Sequence, residues 1–306
     1  MLIDRGHHVK ALVQKEVNGL AGLQMEFVKG DVTSESDLVN LCSDCELVFH
    51  LAAYISIRKT DPICRMVNVD GCMNLVRAAR STGIKKIIHF SSIHAFYEEP
   101  LAVELNETRA LSTDSTISYN RSKALGQKMM LDASSKDLEI IVLCPTSIIG
   151  PNDFKPSLMG NALIRFYNGQ NPFLVPGGFN WVDVRDVCTA AINAIESGMA
   201  GACYLLGGSW QSLGTLAQEI EKQGGHKRPR LELPMWLAQA GAPLLNLQSL
   251  LSKKAPLYTA VSLQTINSSH RNISSERAKK ALGYNPRPFR ETLSDTLAWF
   301  RENNYI

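Results

Sequence analysis

Ile117-Ser-Tyr-Asn-Arg-Ser-Lys-Ala-Leu-Gly126 carries a tyrosine and a lysine four residues apart, which places phenol and ammonium on one helical face, one turn apart. A tyrosine with an ordinary pKa of about 10 is a poor acid or base at neutral pH, and a nearby cation favours its phenolate. Tyr119 and Lys123 are therefore suited to proton transfer. Alone, the same spacing equally describes a solvated helical face. The stretch upstream decides the matter. Lys85-Lys-Ile-Ile-His-Phe90 is an apolar run short enough for a buried strand, and it ends in Ser91-Ser92, whose hydroxyls suit polarisation of a substrate oxygen.

Working outward, Val9-Lys-Ala-Leu-Val13, Met25-Glu-Phe-Val28, Leu47-Val-Phe-His-Leu51, Lys86 to Phe90 and Leu138 to Cys144 read as strands. Helical patterns run over Glu35 to Cys42, Ile63 to Ser81 and Tyr119 to Ala133. Strands alternating with helices predict a parallel α/β sheet, in which ligands bind at the carboxyl ends of the strands. Beyond Cys144, five prolines (Pro145, Pro151, Pro156, Pro172, Pro176) interleaved with glycines predict a loop-rich passage that leaves the sheet. Trp181 to Val184 returns to strand character, Asp186 is placed as N-cap of a helix from Val187 to Glu196, and Asp183 with Arg185 reads as a structural ion pair. A strand at Ala202 to Leu206 and helices at Leu213 to Lys222, Ser274 to Leu282 and Glu291 to Asn303 follow.

Two strand ends carry further candidates. Asp31, after Gly30, suits an adenine amine while Val32 packs on the ring; equally, Asp31 or Thr33 starts the next helix, with Thr33 and Ser36 as local caps. His50-Leu-Ala-Ala53 offers small residues that let a flat cofactor approach the backbone, and tight packing alone also accounts for them.

A chain of 306 residues, 45% hydrophobic, can bury a sizeable core as one large domain or two small ones. A formal charge of +3 with scattered Lys and Arg argues against nucleic acid. Seven cysteines with no regular framework fit a reducing compartment, and the cytoplasm is the expected location. Cys42-Ser-Asp-Cys45 closes a helix and has no second pair at zinc-ligand spacing, so no metal site is expected. The opening residues carry charge where a secretory leader is apolar. The long uncharged stretch Leu233 to Leu251 contains Pro234 and Pro243, which speaks against a membrane span.

The ordered set resembles the extended short-chain dehydrogenase/reductase superfamily, the NAD-dependent epimerase/dehydratase group. The residues that carry the resemblance are Gly30-Asp31-Val32, Phe49-His-Leu-Ala-Ala53, Asn68-Val-Asp-Gly71, Phe90-Ser-Ser92, Tyr119-Asn-Arg-Ser-Lys123, Cys144-Pro-Thr146 and Trp181-Val-Asp-Val-Arg-Asp186. The tail Ala281-Leu-Gly-Tyr-Asn-Pro-Arg-Pro288 followed by Trp299-Phe300 is similar too. The resemblance implies a doubly wound, Rossmann-like α/β sheet with a smaller, mostly helical substrate domain. The dinucleotide domain is expected over 1–150 plus 181–206 and the substrate domain over 151–180 plus 207–306. It further implies Tyr119 as acid/base, Lys123 on the nicotinamide ribose, and Ser92 on the reacting oxygen with Ser91 as fallback. Asp31 and Val32 would contact adenine, and Leu51, Ala52 and Ala53 would line the dinucleotide. Pro145, Thr146 and Ser147 would flank the nicotinamide, with Asn68 as a backbone brace beneath. Ile93, His94 and Trp181 are substrate-contact candidates, His94 alternatively a structural histidine. A homodimer through the two long helices is expected on the same ground.

The chain departs from the family at its start. Such a domain opens with a strand and a glycine-rich turn that holds the pyrophosphate. Met1-Leu-Ile-Asp-Arg-Gly6 instead looks like the end of the first helix running into the second strand, so the first strand is expected to be missing. Gly19-Leu-Ala-Gly22 cannot substitute, because a strand follows it. At the end of the second strand, where an acid would bind the NAD ribose, the chain reads Leu12-Val-Gln-Lys15; Gln14 and Lys15 lean toward NADP, with Glu16 partly opposing.

Three functions follow. The first is an NADP-dependent reductase or dehydrogenase of a small apolar carbonyl or alcohol, similar to the dihydroflavonol-reductase-like branch; the apolar stretch Met235-Trp-Leu-Ala238 through Leu251 would line its pocket or form domain core. The second is a nucleotide-sugar epimerase or dehydratase, which would need Lys155, Arg165, Lys227, Arg228 and Arg230 to converge on a diphosphate. The third is a truncated, inactive fragment or scaffold.

Overall fold

The computed structural model describes all residues except 16, 17, 57 and 242–257. It divides into two units: Met1–Phe96 with Ala110–Cys144 and Ala191–Tyr204, and Tyr97–Arg109 with Pro145–Ala190 and Leu205–Ile306. The first holds most of residues 1–150, while Tyr97–Arg109 of that stretch falls in the second. The second also gathers the strand around Trp181, because that strand pairs with its own neighbours there.

In the first unit a short 3-10 turn, Ile3–Arg5, closes at Gly6 with φ +82°, a left-handed cap that glycine reaches without strain. The chain then enters β1 (Lys10–Val13), which pairs in parallel with β2 (Glu26–Lys29). Gly19 lies in a 3-10 turn, Asn18–Leu20, that leads into β2. Helix α1 (Glu35–Cys42) begins at Ser34, whose hydroxyl accepts from the Asp37 N–H; Ser34, rather than Thr33 or Ser36, is the cap.

Strands β3 (Leu47–His50), β4 (Lys86–Phe90), β5 (Glu139–Pro145) and β8 (Cys203–Leu206) form a sheet in that order. β3, β4 and β5 run parallel, with Phe49 opposite Ile88 and His50 opposite His89. Ile87, Ile88, Ile140, Ile141, Val142 and Leu143 are fully buried, as befits strands covered on both faces.

The long helix expected over Ile63 to Ser81 is broken in register. It runs as α2 (Pro62–Arg65), a π segment (Met66–Asp70) and α3 (Gly71–Thr82). Asp61 caps its start and Pro62 occupies the first turn, where a missing N–H costs nothing. Helix α4 (Ser118–Ala133) packs against it. A Cβ on Gly126 would lie 2.3 Å from the Asn68 carbonyl oxygen, so glycine is required for this approach.

The second unit holds β6 (Ser147–Ile149), β7 (Gly178–Asp183) and β9 (Ser209–Ser212), β7 pairing in parallel with β6 and antiparallel with β9. The passage expected to be loop-rich contains β6 and a helix, α5 (Leu158–Tyr167), capped by Ser157. Pro145 ends β5, and the other four prolines lie outside β6 and α5. Helix α6 (Val184–Ser197) starts directly after β7, so Asp186 lies within its first turn and is not a cap. Asp186 instead accepts from the Arg287 N–H at 2.8 Å and pairs with its guanidinium at 2.9 Å. The ion pair of Asp183 and Arg185 is present at 2.7 Å, with Asp295 on the same guanidinium. Helices α7 (Leu213–Lys222), α8 (Ala260–Ser268), α9 (Glu276–Leu282) and α10 (Phe289–Glu302) complete the unit; Leu216, Leu263, Leu293 and Phe300 are among its buried core. Among the described residues no helix is long and apolar enough to cross a membrane. The uncharged stretch Leu233 to Leu251 lies partly outside them.

Candidate active site

The carboxyl end of β4 delivers the serines and the first two turns of α4 deliver the tyrosine and lysine, all within the first unit. Ser92 is the N-cap of a 3-10 turn, Ile93–Ala95, its hydroxyl accepting from the His94 N–H at 3.2 Å. The same hydroxyl is hydrogen-bonded to the Tyr119 phenol. Ser91 Oγ is buried and has no hydrogen-bond partner among the described residues. Ser92 is thus the serine joined to the tyrosine.

Lys123 is 4% exposed, and its ammonium donates to the Phe90 carbonyl oxygen at 2.7 Å. Burial lowers its pKa. Burial also raises the Tyr119 pKa above its ordinary 10, and the Ser92 hydrogen bond works against that rise. The cation expected to draw the phenol down is instead anchored at the strand end, so the phenol keeps its proton at neutral pH.

Asn68 is the brace the sequence implied. Its side chain exchanges two hydrogen bonds with the backbone of Tyr54, at 2.8 and 2.9 Å, and donates to Ser122 Oγ at 2.9 Å. That ties the loop after β3 to α4 one residue before Lys123. Sequence reasoning missed a second tie. The Asp61 N–H donates to Ser118 Oγ and the Ser118 N–H donates to the Lys59 carbonyl, fixing the first turn of α4. The Asp61-Pro62 pair was the available signal, since it marks a helix start.

Beneath Lys123 the register of β3 and β4 sets two imidazoles side by side. His50 and His89 are 5% and 2% exposed, with their Nδ1 atoms 2.9 Å apart. Cys72 donates to the Asn68 carbonyl oxygen at 3.1 Å and lies 3.9 Å from His50 Nδ1. Two nitrogens on one tetrahedral zinc would sit about 3.3 Å apart, given Zn–N bonds of about 2.0–2.1 Å. The observed separation is that of a hydrogen bond. Burial and the Lys123 charge push both imidazoles down, His50 to about 3, so each is neutral.

Other candidates are placed as follows. Asp31 accepts from the Thr33 N–H and hydroxyl, each at 2.8 Å, and from Gln14 Nε2. These hydrogen bonds hold its carboxyl below the usual carboxylate range. Val32 is buried against Gly71, while Gln14, Lys15, Leu51, Ala52 and Ala53 are exposed at strand ends. Glu16 lies outside the described residues. The half-buried His94 meets the Tyr119 ring edge-on, with centroids 6.1 Å apart, beside buried Ile93. In the second unit Pro145 and Thr146 are buried and Ser147 opens β6; the Thr146 hydroxyl donates to Asn180 at 2.9 Å. Trp181 is 3% exposed and packs on Phe179 and Phe289, a core residue of that unit rather than an exposed contact.

A parallel sheet with Ser92 at one strand end, and Tyr119 and Lys123 on the helix beside it, suits an oxidoreductase that moves a proton and a hydride. The chain belongs to the NAD dependent epimerase/dehydratase family, whose pattern matches residues 1–207. It is an NAD(P)-dependent enzyme of the extended short-chain dehydrogenase/reductase type. It is 32% identical over 310 residues to sterol demethylase protein B of Methylococcus capsulatus, covering 100% of this chain and 94% of that one. It is 27% identical over 317 residues to a putative dihydroflavonol 4-reductase of Synechocystis, covering 100% and 91%. The crystal structure of gox2253 superposes with a TM-score of 0.84 at 31% identity, over 100% and 94% of the chains.

The residues present fit the nicotinamide end of the family's dinucleotide. Two of the three N–H donors on Lys123 have no partner among the described residues, which suits ribose hydroxyls. Leu51, which is 64% exposed, and the exposed Ala52 and Ala53 offer an apolar face at the end of β3.

Proposed function

We propose that this enzyme interconverts a ketone and a secondary alcohol on an apolar, ring-bearing substrate with NADP(H). The observation that carries the reading is the hydrogen-bonded pair of Ser92 and Tyr119 beside the buried Lys123. In the reductive direction the Ser92 and Tyr119 hydroxyls hold the carbonyl oxygen and Tyr119 gives it a proton, while Lys123 positions the ribose. The dinucleotide supplies the hydride to the carbonyl carbon.

The substrate class is supported by relatives whose names join a ring alcohol or ketone to an apolar skeleton. Besides the two above, the yeast sterol-4-alpha-carboxylate 3-dehydrogenase is 26% identical over 305 residues, covering 91% of this chain and 84% of that one. A cation cluster for a diphosphate finds little support: Arg228 is paired with Glu221 at 3.9 Å, and Lys227 and Arg230 are exposed. NADP is supported by the exposed Lys15 and by Gln14, which carries no charge of its own. All seven cysteines are free, in keeping with a reducing compartment.

The test is NADPH consumption by the purified chain across cyclic ketones, including 3-ketosteroids, with a nucleotide-diphosphate sugar alongside. Turnover of the apolar ketones is expected. Turnover confined to the sugar nucleotide would replace this reading with an epimerase or dehydratase.

A further inference from the structure

One surface of the second unit sets cations beside exposed apolar side chains. His226-Lys-Arg-Pro-Arg230 places Lys227, Arg228 and Arg230 on the surface, and Leu231-Glu-Leu-Pro-Met-Trp-Leu237 follows at once. Trp236 is 69% exposed, Leu231 54% and Leu237 41%. Such apolar exposure within seven residues, next to three cations, is not what water selects.

The exposure is presented by fixed backbone. The Leu174 N–H donates to the Leu231 carbonyl and the Leu233 N–H to the Leu174 carbonyl, both at 2.9 Å. The His226 N–H donates to the Tyr167 carbonyl at 2.8 Å. A helical turn opens at residue 235, with Ala238 buried in the core and Met235 packed on it. Trp236 and Leu237 are therefore turned outward, and the helix is apolar on both its inner and its outer face. An outer face of that kind calls for a covering partner.

We propose that this face docks on an anionic lipid bilayer, with Leu231, Trp236 and Leu237 entering the interface and Lys227, Arg228 and Arg230 meeting the headgroups. Charge complementarity selects that occupant. Over 226–232 three cations oppose one carboxylate, Glu232, and among the described residues only Arg228 of the three has an ion-pair partner. Tryptophan beside basic residues is the composition of interfacial anchors, where the indole sits at headgroup level and the cations add attraction to anionic lipid. The proposal takes Trp236 and Leu237 as surface residues, on their exposure, rather than as the pocket lining expected from sequence.

The full chain is sedimented with vesicles of phosphatidylcholine alone and of phosphatidylcholine with phosphatidylglycerol. Binding is expected to the anionic vesicles, weakened by high salt. Trp236→Ser with Leu237→Ser should reduce binding about tenfold or more, and Lys227→Glu with Arg230→Glu should abolish the preference for phosphatidylglycerol. Both pairs lie on exposed positions, and an unchanged melting temperature and NADPH affinity confirm an intact fold. Absence of binding to anionic vesicles, or equal binding by the apolar double variant, overturns the proposal. So does light scattering that finds a dimer which the apolar variant dissolves, since that assigns the face to a second copy.

Discussion

The ammonium of Lys123 donates to the carbonyl oxygen of Phe90 at 2.7 Å, so the last residue of β4 orients the cation of α4. The strand that delivers Ser92 thereby also sets the lysine beside Tyr119. Lys123→Met removes the cation proposed to hold the ribose and is expected to weaken NADPH binding as well as turnover. Tyr119→Phe, which keeps the ring, should lower turnover by about 10²- to 10⁴-fold and spare NADPH binding. Calorimetry with parallel kinetics separates the two, and retained activity in the phenylalanine variant would remove Tyr119 from its role.

Ser92 has a second effect, on the titration of Tyr119. Its hydrogen bond opposes the rise that burial imposes on the phenol. Ketone reduction needs the protonated phenol, so its rate should hold across neutral pH and fall only as the phenol ionises in the alkaline range. Ser92→Ala takes away an interaction that favours the phenolate, so the alkaline limb should move to higher pH. A limb that stays in place, measured in stopped assays across the alkaline range, would detach Ser92 from the proton.

The neutral pair His50 and His89 makes stability depend on pH with a definite sign. Both pKa values are depressed in the fold, His50 from 6.5 to about 3, so the unfolded chain binds more protons as pH falls. Their contribution is fully present above about pH 6.5 and is lost toward pH 3. Both imidazoles act in the same direction, so stability should fall as the pH drops below the pKa of a free imidazole. Urea unfolding at several pH values between 7.5 and 5 measures the slope; His50→Gln should make it shallower, and an unaltered slope would assign the acid sensitivity to other groups.

Gln14 and Asp31 meet at the strand ends where the adenosine ribose is expected, and Gln14 has no charge with which to repel a 2′-phosphate. Gln14→Asp adds a carboxylate suited to ribose hydroxyls and hostile to phosphate. The ratio of NADPH to NADH affinity should fall by about tenfold, the scale of one charge-assisted hydrogen bond. An unchanged ratio in paired titrations would sink the NADP assignment.

What the sequence disclosed and what it hid divide along physical lines. Ser92, Tyr119 and Lys123 were legible because each belongs to a short motif whose spacing is fixed by one strand end or one helical turn. The helix Glu35–Cys42 and the strand Lys86–Phe90 came out with their exact ends, since local periodicity governs both. The pairing of His50 with His89 was hidden because it arises from strand register across 39 residues. The tie of Asp61 to Ser118 spans 57 residues and was hidden for the same reason. The fall of Tyr119 toward a lower pKa was expected from spacing alone, whereas the sign is set by burial, which no spacing reports. The start of α6 at Val184 was placed three residues late because Trp181 to Val184 alternates like a strand to its last residue.

The π segment Met66–Asp70 is the feature least visible in sequence, and Gly126 explains why it persists. The extra residue in that turn pushes the Asn68 carbonyl toward α4, where only a residue without a Cβ can face it. The same displacement brings the Asn68 side chain onto Tyr54 and Ser122, so one irregular turn braces the loop after β3 and the helix bearing Lys123. Gly126→Ala should cost about 1–3 kcal/mol of stability, because the added methyl meets backbone rather than a side chain that can swing away. Part of that strain would be relieved by moving α4, which should weaken NADPH binding as well. Thermal unfolding and NADPH titration of the variant check both effects. A wild-type melting temperature would mean that the π segment relaxes freely, and the brace would then not depend on this glycine.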